Sequence, residues 1–381
     1  MRRTGIAELP LHWGRAPPWL FKRMVKLSRS ISEALIQEFG HKEFLRRLSD
    51  PFWFQALSCV LGYDYHSSGT TTVTCGALKI ALDPEEHGVA VCGGKGKASL
   101  RALMEIDQTG DKLGLSTEKI NSLKYASRMG AKVDNTAIQD GYQLYHHTFI
   151  MTEEGDWCII QQGLDPRDRY ARRYHWLSEH VKNFVVKPHD AILCDSKRNI
   201  VLDMTAEESE ACRKTSIDIA KENPRKVLRS LKSIRPAYQR SLKRWIPNAQ
   251  WEEYVTSFLY LPKNLNWGVL KRVYDFQPKN YEELLGIKGV GPATVRALAL
   301  ISELMYGEKP SWNDPVKYSF AFGGKDGVPY PVDRDTYDKT INVLENAVKQ
   351  AKTGNKERIN ALKRLSFFMR KSSSVKNLDH T

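Results

Sequence analysis

No apolar run in the 381 residues approaches the roughly 18–20 needed to cross a bilayer as a helix. Met1 to Leu20 also lacks the apolar stretch of a signal peptide, carrying arginines and prolines instead. The expectation is a soluble, cytoplasmic protein without membrane attachment. Cysteines are few: six, at positions 59, 75, 92, 158, 194 and 212, with no C-x-x-C pair and no zinc-ligand spacing to histidine. They read as small buried residues in a reducing compartment, and no structural zinc is expected. Acidic side chains are also in short supply. Lys and Arg number 58 against 44 Asp and Glu, a net charge of +14, which favours polyanionic partners.

What is present is enough for well-filled cores: 41% apolar and 10% aromatic residues over a length that suggests two domains. The positive excess is concentrated. Residues 221–244 hold nine basic side chains against one acid, and residues 349–376 hold nine more against one.

A helix is expected after Pro18, with Leu20, Met24, Leu27, Ile31 and Leu35 on one face and Gly40 as its stop. Between residues 70 and 200 short β-rich runs appear at Thr71–Val73, Val89–Cys92, Tyr142–Met151, Trp157–Gln162, Phe184–Val186 and Ile192–Cys194. Beyond residue 200 the pattern turns helical, opening on a capping box, Thr205 to Glu208. Helices are expected over 225–234, 251–260, 267–274, 281–285, 294–306, 337–352 and 357–369. The fold class is therefore α+β: an N-terminal mixed α/β domain, residues 1–199, then an all-α domain, residues 200–381, with the break near 196–204.

The sharpest local signal is Leu284-Leu-Gly-Ile-Lys-Gly-Val-Gly-Pro-Ala-Thr-Val-Arg-Ala-Leu298. A short helix ends, glycines make a tight turn, and Pro292 starts a second helix. The unpaired amides at that helix start face outward, where the helix dipole favours an anion. Lys288, Gly289, Val290, Gly291, Ala293, Thr294 and Arg296 would make the contact. This segment resembles the helix-hairpin-helix, spanning 284–300 here, of DNA repair enzymes, recombinases and ligases. The resemblance implies sequence-independent contacts to DNA phosphates, with RNA not excluded, and a monovalent cation on the turn carbonyls.

Downstream, Tyr330-Pro-Val-Asp-Arg-Asp-Thr336 is similar to the segment that follows the hairpin in base-excision glycosylases. That likeness implies Asp333 as a charge-stabilising or water-activating carboxylate acting on a flipped-out base. Ala293 stands where lyase-active members carry lysine, so a glycosylase of this kind would lack lyase activity.

Three further groups lie in the N-terminal half. A strand runs into Gly94-Lys-Gly-Lys-Ala-Ser99, where backbone amides with Lys95, Lys97 and Ser99 would suit a phosphate. Asp140-Gly-Tyr-Gln-Leu-Tyr-His-His147 lies across a hairpin from Gln161 and Gln162. Alternation places His146 with Tyr142 and Leu144, and His147 with Gln143 and Tyr145. Arg169-Tyr-Ala-Arg-Arg-Tyr-His-Trp176 mixes guanidiniums with aromatics, as a nucleic-acid contact strip would, through Arg169 and Tyr174. His146, His147 and His175 would then serve as acid and base for phosphodiester cleavage. Arg172 and Arg173 would hold the developing charge, and Asp140, Glu105 or Asp107 a divalent metal such as Mg.

Taken whole, the chain resembles a prokaryotic, mostly archaeal family known as domain of unknown function 763. The resemblance is carried by Arg3-Thr-Gly-Ile-Ala-Glu-Leu-Pro10, Gly94 to Ser99, Asp140 to His147, Gln161-Gln-Gly163, Ala171 to Leu177 and the glycine turn. It brings no activity with it. The expectation is a DNA-binding repair or processing protein. A nuclease is the leading reading, with a glycosylase using Asp333 and a non-enzymatic repair accessory as the alternatives.

Overall fold

The computed structural model describes residues 16–62, 68–165, 170–194, 197–234, 262, 265–316, 334–351 and 354–374. Its first helical span, α1 (Pro18–Ser49), is two helices end to end: Gly40, at φ 80° and ψ 171°, leaves helical geometry and stops the first as expected, and a second stretch follows directly. Asp50 caps α2 (Pro51–Leu61), accepting from Phe52 N at 2.7 Å and Trp53 N at 3.1 Å, with Pro51 in the first turn. Next come α3 (Ser68–Ala81) and the single turn α4 (Pro84–His87). The strand expected at Thr71–Val73 is thus a helix. Its β-branched threonines are used for hydrogen bonding: Thr71 Oγ1 donates to Gln162 and Thr74 Oγ1 to Ser58.

Strand β1 (Val89–Lys95) leads through a 3₁₀ turn, Gly96–Arg101, directly into α5 (Ala102–Lys112), and α6 (Thr117–Lys132) follows behind its Ser116 cap. A π-helical turn, Val133–Ala137, ends α6 and precedes β2 (Ile138–Gln139). Then come β3 (Gln143–Thr152), β4 (Trp157–Leu164), β5 (Ala171–Leu177), β6 (Ala191–Leu193) and β7 (Leu202–Asp203). Five of these form an antiparallel sheet in the order β1-β3-β4-β5-β6, and β2 pairs separately with β7. Phe184–Val186 forms no strand, because Asn183 Oδ1 takes the amides of Val185 and Val186 in a local turn. Strand β5 carries the arginines and tyrosine that the sequence presents as a surface strip, yet all its residues are buried.

In the C-terminal half, a 3₁₀ turn (Glu207–Ser209) opens α7 (Glu210–Ala220). Thr205 does not cap it, since its hydroxyl donates to Asp203 instead. Helices α8 (Pro224–Ile234), α9 (Trp267–Phe276), α10 (Tyr281–Gly286), α11 (Pro292–Tyr306), α12 (Arg334–Gln350) and α13 (Asn355–Ser374) follow among the described residues. The helix expected over 251–260 lies outside the described residues.

Helices cover both faces of the large sheet. Ala90, Cys92, Phe149, Met151, Ile159 and Trp176 point to one side, into a core shared with α5, α6, α7 and α9–α11. Val89, Val91, Ile150, Cys158, Ile160 and Leu177 point to the other, against α1–α3, α12 and α13. Period-two alternation in the strands is what divides the two cores. Apolar packing therefore runs across the expected break near residue 200, and β7 bridges onward to Ser311.

Candidate nucleic-acid interface and the buried polar network

The polar residues of β3, β4 and β5 divide between the two faces of the sheet. On the α6 side, Gln161 Nε2 donates to the buried Asp134 carboxylate, so its Oε1 is left to accept. His147 Nδ1 lies 2.9 Å from that oxygen and must be the donor. Nε2 then accepts from Ser127 Oγ at 2.8 Å. Asp134 also takes Trp176 Nε1 and His189 Nε2. Further along the same face, Arg172 reaches Asp314 through two nitrogens at 2.9 and 2.7 Å and Asp140 at 3.0 Å, while Tyr174 Oη donates to Asp140 at 2.6 Å. Burial disfavours the Arg172 guanidinium, yet the two carboxylates raise its pKa well above the ordinary value.

The opposite face carries His146, Gln162, Arg173 and His175, in register across the strands. A bulge between Leu144 and His146 breaks the alternation expected there. Tyr145 consequently bonds Gln162 on the His146 side and does not join His147. Arg173 donates to Gln55 at 3.0 Å and lies 4.9 Å from the Phe54 ring centre. His175 meets the edge of the same ring. Burial, with His147, Lys95 and Arg173 nearby, lowers His146 to about 3. Burial likewise lowers His147 and His175, so all three imidazoles are neutral near pH 7. The expected acid–base constellation is thus buried, split by the sheet and uncharged. It does not converge on one cleft.

The carboxylates expected to hold a divalent metal are engaged elsewhere. Asp140 is bound as above, Glu105 holds Lys79 and Gly93 N, and Asp107 holds Lys124. Among the described residues the one group of three with metal-like spacing is His41, Glu153 and Glu154, on the outside. The same Glu105 bond decides the glycine-lysine loop: the Gly93 amide is already given to a carboxylate, and the 3₁₀ turn leaves α5 no free start. Lys95 and Lys97 are exposed, Lys95 lying over the Tyr145 ring, and Ser99 Oγ donates to Gly96 O. All six cysteines are buried free thiols. Arg169 and Asp333 lie outside the described residues.

The glycine turn between α10 and α11 is different in kind, because it faces outward. Gly286, Lys288, Gly289, Pro292 and Ala293 are exposed, while Leu284, Val290 and Thr294 anchor the turn in the core. Gly289 has φ 95°, which favours glycine; a Cβ there would also come within 2.8 Å of Arg272 Nη2 and Val269 Cγ2. Gly291 begins α11 with no side-chain cap. Among the described residues, the amides of Gly289, Gly291, Ala293 and Thr294 meet no acceptor.

Side chains from distant segments hold the carbonyls of this turn. Arg272 Nε donates to Lys288 O at 3.1 Å, Lys132 Nζ donates to Val290 O, and Arg296 Nε donates to Gln139 Oε1 at 2.7 Å. Gln139 in turn donates to Pro292 O at 2.9 Å. Burial and the neighbouring charge of Arg128 lower the Lys132 pKa. Two turn carbonyls therefore already accept from cations of this chain, so the donor set does not suit a separate monovalent ion. Sequence reasoning missed Arg128, Lys132, Gln139 and Arg272 because they lie far from the turn in sequence, Lys132 by 158 residues. No local motif marks them.

No curated protein and no solved structure matches the chain. One family model does, over residues 5–332, under the description "Protein of unknown function (DUF763)". With most of its length matched, the chain belongs to the DUF763 family.

Proposed function

We propose that this protein binds the phosphodiester backbone of DNA at the α10–α11 turn, in the manner of a helix-hairpin-helix. The observation that carries the reading is the row of amides at Gly289, Gly291, Ala293 and Thr294 that meet no acceptor among the described residues, at the uncapped start of a 15-residue helix in an exposed turn with Lys132, Arg272 and Lys288. Peptide N–H groups with a helix dipole behind them suit a phosphate oxygen and read no base. The net charge of +14 adds long-range attraction to the same ligand.

Binding without cleavage is the activity that this geometry supports. The residues expected to cut a phosphodiester lie on opposite faces of the sheet, and their imidazoles are neutral. In a fluorescence assay, wild type should bind a mixed-sequence duplex with an affinity that falls steeply with salt. Gly291→Val should weaken binding about tenfold or more, equally for unrelated sequences. A loss confined to one sequence, or wild-type binding indifferent to salt, contradicts the proposal. Single-stranded DNA and RNA of the same sequence serve as competitors to decide the preferred ligand.

A further inference from the structure

The back of the turn is as ordered as its front. Three donors reach three carbonyls there: Arg272 from α9 to Lys288 O, Lys132 from the end of α6 to Val290 O, and Gln139 from β2 to Pro292 O. The carbonyls belong to alternate residues. In a trans peptide, the C=O of one residue and the N–H of the next lie in one plane and point opposite ways. The three peptide planes held from behind are therefore those whose N–H groups belong to Gly289, Gly291 and Ala293. These are three of the four amides with no acceptor among the described residues.

Such a brace does two things. It fixes the direction in which each N–H points, and it polarises the peptide. A donor on the oxygen strengthens the N–H on the other side, by about 10–30% per bond. Two of the donors are full cations, whose hydrogen bonds are stronger than neutral ones. Arg296 fixes Gln139 in turn through its Oε1, so the third brace is itself held.

We infer that Lys132, Arg272 and Gln139 are positioning residues of the anion site, each aiming one amide from behind and none touching the phosphate. The inference rests on the phosphate-binding reading of the turn. It assigns one brace to each amide: Arg272 to Gly289, Lys132 to Gly291 and Gln139 to Ala293.

The test uses the full chain with ¹⁵N-labelled glycine and a 20-base-pair mixed-sequence duplex. In the free protein, Lys132→Met moves the Gly291 amide resonance and leaves Gly289 in place, and Arg272→Met does the reverse. Each substitution weakens duplex binding about tenfold. The slope of log affinity against log salt stays at the wild-type value, because neither side chain displaces counterions from the phosphates. Lys132→Arg restores most of the affinity. Lys288→Met, removing an exposed side chain at the front, lowers that slope by about one.

Two results overturn the inference while leaving the phosphate site standing: undiminished binding by Lys132→Met and Arg272→Met, or a slope lowered by about one in both. A wild type that binds no duplex or single strand removes the site itself, and the positioning role with it. Should Lys132→Met fail to fold, by its thermal transition, the exposed Arg272→Met carries the same readouts.

Discussion

His146, His147 and His175 are buried as neutral rings, and that has a consequence for stability. Burial is the main cause of the lowered pKa in each, and His146 falls to about 3. An unfolded chain takes up these protons near pH 6.5, whereas the fold resists them. Their contribution is present in full above 6.5 and is lost as the pH falls from there toward the folded values. Each such proton is worth about 1.4 kcal/mol per pH unit, so three can approach about 4 kcal/mol per unit. The midpoint of urea unfolding should therefore drop markedly between pH 7.5 and 5.5. A midpoint unchanged over that range would show that the rings are accessible to protons. The sequence marks these side chains as chemically unusual but does not reveal their partners. Ser127, Asp134, Asp314 and Gln55 lie on separate elements and carry no pattern of their own.

Among the elements, strands with alternating apolar residues were legible from the sequence: β1, β3, β4 and β6 fall close to the expected runs. So were the helices flanking the glycine turn, whose punctuation by Gly291 and Pro292 is local chemistry. Two of the misread elements hide for opposite reasons. Strand β5 hides because Arg172 and Arg173 look like surface residues until Asp140, Asp314 and the Phe54 ring are placed beside them. Helix α3 hides because threonines favour strands by propensity, and tertiary hydrogen bonds outweigh that preference. Thr71→Val tests the second point. It keeps the branched shape and removes the hydroxyl that donates to Gln162 inside the protein. The expected loss is about 1–3 kcal/mol, read as a lowered thermal midpoint. An unchanged midpoint would mean that propensity, not the buried bond, decides the segment.

At the scale of the whole molecule, the change from strand-rich to helical sequence near residue 200 does not mark a division of the interior. Leu284, Leu285, Val295 and Leu298 share a core with Phe149, Ile159 and Trp176, and Leu344 and Val348 pack with Leu45 and Phe54. A fragment of residues 1–199 should therefore lack a cooperative transition in calorimetry, whereas the full chain melts as a unit. A sharp, reversible transition in that fragment would show that the first half folds alone.

Lys132, at the back of the turn, is followed two residues later by Asp134, whose carboxylate binds Gln161, Trp176 and His189. The proposed grip on nucleic acid and the integrity of the sheet thus meet on one short stretch of backbone. Mass action then runs both ways. Saturating duplex, at 100 times its dissociation constant, would add about 2.7 kcal/mol against unfolding. Any damage that loosens the sheet would in turn be felt as a slacker hold on the strand.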